Sequence, residues 1–127
     1  MKLKTFNTAN TITRRGVNPR VRVNDKGTFY VNAGALNRMK LKTGDRIQFH
    51  QDEERGSDWY LEKTDDQAGF VLRAAASGSS LIFSNQDIRN RIVESVNPQL
   101  TGSFDLMIGI EPVEGKYWPL ITASLKK

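Results

Sequence analysis

The sequence predicts a mainly β domain with two short helices, folded as a small closed barrel. Two pseudo-two-fold-related ββαββ repeats would build it. Three observations predict this. Apolar and polar residues alternate in short runs, glycine-bearing turns divide those runs, and the order strand–strand–helix–strand–strand comes round twice.

The elements follow in order. Val21-Arg22-Val23-Asn24 alternates as a strand, Asn24-Asp25-Lys26-Gly27 is a turn, and Thr28-Phe29-Tyr30-Val31 returns. Asn32 is a helix N-cap, and Ala33 to Lys40 carries Ala35, Leu36 and Met39 on one side. Leu41-Lys42-Thr43-Gly44-Asp45 turns into a strand at Arg46-Ile47-Gln48-Phe49-His50, with Ile47 and Phe49 sharing a face. A polar loop leads to Trp59-Tyr60-Leu61-Glu62-Lys63.

The second pass begins with a strand at Phe70 to Arg73, a small-residue turn at Ala76 to Ser79 and a strand at Leu81-Ile82-Phe83. Ser84 or Asn85 caps a helix over Gln86 to Val96, with Ile88, Ile92, Val93 and Val96 on its apolar side. Ser103 to Ile110 is a strand, and Tyr117 to Thr122 returns, with Pro119 marking an edge or a bulge.

This divides the chain into a basic, Thr/Asn-rich arm at 1–20 and a single barrel domain at 21–127. Repeat 1 takes residues 21–66 and repeat 2 takes 69–124. One repeat has half a core and open strand edges, so two must pair. The repeat supplies that pair within one chain, so an oligomer is allowed but not required.

The 127 residues suit one domain that folds without staples. No cysteine is present, which removes disulfides and thiol catalysis and fits a reducing, cytoplasmic setting. One histidine, His50, argues against a histidine metal site or a multi-histidine active site. No apolar run is long enough for a membrane span. The expectation is a non-enzymatic protein with no cofactor, no metal and no membrane partner.

Charge is the strongest functional signal. Residues 1–50 hold eleven Lys/Arg against two acids, a balance of +9, while the remainder carries −4. Such a split points to a polyanionic partner, nucleic acid first and double-stranded DNA within that. The candidate contacts are Arg14, Arg15, Arg20 and Arg22 from arm into strand, Lys26 in the turn, and Arg38, Lys40 and Lys42 at the first helix end. Arg20 and Arg22 are two apart and share one strand face. Such cations would grip phosphates, giving affinity and salt dependence with little sequence information.

The span Gly27 to Ile47 resembles the AbrB/SpoVT/MazE group of swapped-hairpin transcription regulators. The residues that carry the likeness are Gly27-Thr28-Phe29-Tyr30-Val31, Leu36 to Lys40, and Leu41-Lys42-Thr43-Gly44-Asp45-Arg46-Ile47. The same turn also looks like that of double-psi β-barrels. The resemblance implies two interlocked β-α-β halves, here in a tandem-copy, MraZ-like arrangement, and DNA contact through arginines on the barrel face. The chain departs from the family at Asn32, where proline is common. Its second copy has Leu100-Thr101-Gly102-Ser103-Phe104 in place of the Gly-Asp turn.

Other motifs have structural readings. Gly44-Asp45 serves a tight turn. In Trp59-Tyr60 and Tyr117-Trp118, adjacent residues face opposite ways, so one of each pair belongs to the core. Gly78-Ser79 matches the self-cleaving dipeptide of a double-psi decarboxylase in nothing else. Asp52, Glu53, Glu54 and Asp58 read as a solvated loop before a cation site. The competing function is a protein-interaction or assembly module that offers an edge strand or the Trp/Tyr hairpins.

Overall fold

A computed structural model describes residues 18–75 and 78–125. The strands are β1 (Arg20–Val23), β2 (Thr28–Val31), β3 (Arg46–Gln51), β4 (Trp59–Thr64), β5 (Phe70–Val71), β6 (Arg73–Ala74), β7 (Leu81–Ser84), β8 (Phe104–Ile108) and β9 (Trp118–Ile121). The helices are α1 (Ala33–Met39) and α2 (Gln86–Val96), and a 3-10 turn covers Ala123–Leu125. The class is the expected one: mainly β with two helices, in one antiparallel, nearly closed, barrel-like sheet.

The strand order is β5-β3-β4-β9-β8-β1-β2-β7-β6. The first and last strands of that order flank a single residue, Leu72, so the sheet returns to itself through continuous chain. The expected strand from Phe70 to Arg73 is therefore broken. Its first part pairs with β3 and its second with β7. Between them, Leu72 N–H donates to the Asp45 carbonyl and the Leu72 carbonyl accepts from Gly44 N–H, both at 2.9 Å. Gly44-Asp45 thus forms a turn whose backbone helps seal the barrel. The Asp45 carboxylate steadies it by accepting from Lys42 N–H at 2.9 Å.

Exchanging β1, β2, β3 and β4 with β5–β6, β7, β8 and β9 leaves the set of strand pairings unchanged. The pairs β2–β7 and β4–β9 map onto themselves. That is the pairing a doubled unit would give.

Alternation decides what lies inside. Val21, Val23, Phe29, Val31, Ile47, Leu61, Leu72 and Leu106 are fully buried. Phe29 stacks on Phe83 at 4.7 Å, and Phe83 on Phe70 at 4.9 Å, with Phe49 edge-on to Phe29 at 5.5 Å. These four rings come from β2, β7, β5 and β3, so they join the two halves of the chain. In the aromatic pairs it is Trp59 and Trp118 that pack on the core, leaving Tyr60 and Tyr117 on the outside. Trp59 Nε1–H also donates to Ser95 Oγ at 2.7 Å, fixing α2 against β4.

Both helices start on an asparagine cap, Asn32 for α1 and Asn85 for α2. The α2 start seats on the β1–β2 turn at Gly27, where φ is +83° and a Cβ would come within 2.8 Å of the Gln86 backbone. Only glycine fits there. The apolar side of α2 contains one residue the periodicity did not disclose. Arg89 is buried, donates to the carbonyls of Asn24 at 2.9 Å and Gly102 at 3.1 Å, and lies over the Phe104 ring.

The last hairpin differs from expectation in two places. The strand expected from Ser103 to Ile110 ends at Ile108, and Ile110 is 81% exposed. Pro119 is not on an edge, because β9 lies between β4 and β8, and not in a bulge, because the register with β4 runs unbroken through Tyr60↔Pro119. Proline is tolerated there through two compensations. Gly109 opposite it has no Cβ, and one would meet Pro119 Cγ at 2.7 Å. Gly109 N–H donates to the Pro119 carbonyl at 2.9 Å, but Pro119 has no N–H to return. Arg38 Nη1 supplies the missing donor, reaching the carbonyls of Ile108 at 3.0 Å and Gly109 at 3.2 Å.

Candidate nucleic-acid interface

β1 lies between β2 and β8, and its fully buried Val21 and Val23 force Arg20 and Arg22 outward. Tyr30 lies directly across from Arg22 on β2. The same alternation that buries Phe29 and Val31 turns Tyr30 out. Arg20, Arg22, Tyr30, Asn32 and Ser80 line a groove of about 210 Å³. Asn32 organises its end: Oδ1 accepts from Ala35 N–H at 2.9 Å and Arg20 N–H at 3.1 Å, and Nδ2 donates to the Asn18 carbonyl at 2.8 Å. Asn18 and Pro19, expected in the arm, are therefore tied to the barrel; the Pro19 carbonyl also accepts from Ile108 N–H at 3.1 Å.

The groove has one built-in competitor. Arg22 faces Asp105 on β8, with Nη2 donating to Oδ2 at 3.3 Å and Nε 3.2 Å from Oδ1. Oδ1 is buried and off any hydrogen-bond line, so the pair is imperfectly satisfied. The Arg22 side chain is still 53% exposed. A phosphate here would meet a guanidinium already facing a carboxylate, beside an aromatic ring.

The other candidates fall into three situations. Lys26, Lys40 and Lys42 are exposed, at the β1–β2 turn and past the end of α1. Arg38 is half-buried and turned onto the two carbonyls named above. Arg14 and Arg15 lie outside the described residues. The structure thus brings Arg20 and Arg22 together and adds Tyr30, Asn32 and Ser80, which the charge pattern did not mark. Strand alternation was the signal for Tyr30. Ser80 gave none, because only the β2–β7 pairing brings it near.

A second cavity, of about 240 Å³, opens on the outer face of β3 and β4, with His50, Asp52, Tyr60, Glu114 and Tyr117 among its walls. His50 Nε2 is 2.8 Å from Glu62 Oε1, which also accepts from Gln48 Nε2 at 2.9 Å. The Gln48 hydrogen bond, followed by His50, holds the Glu62 carboxyl below its ordinary range. Asp52 Oδ1 accepts the N–H groups of Glu54 at 2.8 Å and Arg55 at 3.1 Å, and these bonds hold its carboxyl low as well. The carboxylate thereby organises its own loop.

Among the described residues, no helix is long and apolar enough to cross a membrane. No family model, no curated protein and no solved structure matches the chain.

Proposed function

We propose that this chain binds nucleic acid, duplex DNA foremost, by gripping the phosphate backbone with the outer face of β1 and with the exposed Lys26, Lys40 and Lys42. The observation that carries the reading is the groove in which Arg20 and Arg22 stand next to Tyr30, on the more basic part of the chain. Two guanidiniums two residues apart on a strand suit successive phosphate oxygens, and a tyrosine beside them can stack on a base or pack on a sugar. The AbrB-type span that includes β2 and α1 supports DNA over RNA and implies a role in regulating transcription.

The test is a salt titration of duplex DNA binding. Replacing Arg20 and Arg22 with Gln should weaken binding and lower the log–log salt slope by about 1 for each phosphate no longer neutralised. Asp105→Asn should act the other way, tightening binding roughly threefold at low salt by removing the competitor of Arg22. No binding of DNA or RNA at low salt, or an Asp105→Asn variant that binds more weakly, would overturn the proposal.

A protein-interaction module is the second reading, favoured by Ile110 at 81% and Val113 at 45% exposure on the β8–β9 connection. Strand addition is disfavoured within it, because the sheet's two end strands are two-residue pieces of one chain stretch.

A further inference from the structure

The second cavity combines three features that the nucleic-acid reading does not use. Its walls include two outward tyrosines, Tyr60 from β4 and Tyr117 just before β9. Two acidic residues, Asp52 and Glu114, line it from two different loops, and of the Asp52 carboxylate Oδ1 is already held by its own loop. His50 is held in its wall by Glu62 at 2.8 Å and meets the Tyr117 ring edge-on at 4.9 Å, which fixes that ring in place. Aromatic faces together with carboxylates form an environment that favours a cation and disfavours an anion.

The protein's own chemistry agrees. The Lys116 ammonium lies 4.9 Å from the centroid of the Tyr117 ring. A hydrogen bond with the Tyr117 side chain first, then the charges of Glu62 and Glu114, hold that ammonium above its ordinary range. By position alone, the Tyr117 ring already seats one alkylammonium, and an incoming cation would share the ring with Lys116 or displace it.

We propose that this cavity is a binding site for an alkylammonium group, primary or methylated, with Tyr60 and Tyr117 contacting its apolar surface and Asp52 and Glu114 its charge. The site is separate from the arginine groove, so it stands whether or not the chain binds nucleic acid. A free amine and a lysine side chain present the same chemistry, and the experiment separates them.

The three tyrosines make the test selective, because Tyr30 lies in the other groove. Their ring resonances are followed by NMR while n-butylammonium, n-butyltrimethylammonium, n-butanol or the blocked tripeptide acetyl-Gly-Lys-Gly-amide is added. The Tyr60 and Tyr117 rings should shift saturably with the cations, while Tyr30 stays still and n-butanol has no effect. Tighter binding of the tripeptide than of n-butylammonium assigns the site to a lysine side chain, and equal or weaker binding assigns it to a free amine. Tyr117→Leu should weaken binding about tenfold. Glu114→Gln, an exposed change that leaves the fold alone, should weaken it about threefold. The proposal fails if neither ring moves with any cation, if Tyr30 moves in parallel, or if Glu114→Gln leaves affinity unchanged.

Discussion

The outer faces of β1–β2 and of β3–β4 share one plan with opposite charge. On each, a tyrosine lies across the strand pair from a side chain that can carry positive charge: Tyr30 from Arg22, and Tyr60 from His50. On the first face Arg20 and Arg22 dominate, and Asp105 answers only one of them. On the second, Glu62 holds His50 while Asp52 and Glu114 ring the cavity. The two parts of the chain can therefore share strand pairings and still differ electrically. Inward residues are fixed by the core they share. Outward residues of the same strands touch mainly solvent and one another, so their charge can change with little effect on the fold.

A segment's net charge also overstates the charge it displays. Arg38 and Arg46 both belong to the basic stretch, yet both donate to backbone carbonyls, Arg46 to those of Gln67 at 2.9 Å and Gly69 at 3.1 Å. They hold loops. Arg20 and Arg22 are the arginines of the described basic stretch that face the groove.

The heaviest loss should come from breaking the joint between the halves. Phe83 stacks on Phe29 and Phe70, so Phe83→Ala should remove about 3–5 kcal/mol of stability. Because those rings come from both halves, unfolding in urea should remain one transition by circular dichroism and by tryptophan fluorescence. Two separated transitions would mean that the halves are independent bodies.

A smaller effect separates a clamping arginine from a displayed one. Arg38→Met should cost about 2 kcal/mol, since it leaves the carbonyls of Ile108 and Gly109 short of a donor. Arg38→Lys should recover little, because one ammonium does not reproduce the fork. Pro119→Ala supplies a backbone N–H opposite Gly109, so in the double variant Arg38→Met should cost about 1 kcal/mol less than in the native background. Additive denaturation energies would disprove this account of Pro119. On DNA, Arg38→Met should leave the salt slope unchanged.

Much of this fold was legible in the sequence because strand alternation and asparagine caps are local signals. Val21, Val23, Phe29 and Val31 announced the inner face of β1–β2 by period alone, and Arg20 and Arg22 announced the outer one. What stayed hidden depends on partners distant in the chain. Pro119 reads as an edge or bulge residue because its compensation comes from Gly109 and from Arg38 on a helix of the other half. Nothing local marks Arg89 as buried, because the carbonyls it needs belong to Asn24 and Gly102. The barrel's closure at Leu72 was invisible because it rests on the backbone of the Gly44-Asp45 turn. At the second cavity, the sequence offers His50 only as a lone histidine that argues against a metal site or a multi-histidine active site. Its pairing with Glu62 required the β3–β4 register, in which Gln48 and Glu62 face each other.

A still milder effect concerns that register and separates the two faces further. Glu62 titrates below its ordinary value of 4.5 in the folded chain, chiefly through its hydrogen bond from Gln48 and then through His50. A lowered folded-state value means the unfolded chain takes up the proton first as pH falls. The carboxylate's contribution is therefore complete above pH 4.5 and is lost as pH drops through the lower folded-state value. Glu62→Gln should cost about 1 kcal/mol at neutral pH, with the gap between native and variant closing as pH falls below 4.5. Urea midpoints across that range read the gap directly. Parallel curves would show that the carboxylate charge is not what joins β3 to β4 on this face, and that the His50–Glu62 contact merely follows from a register set by the core.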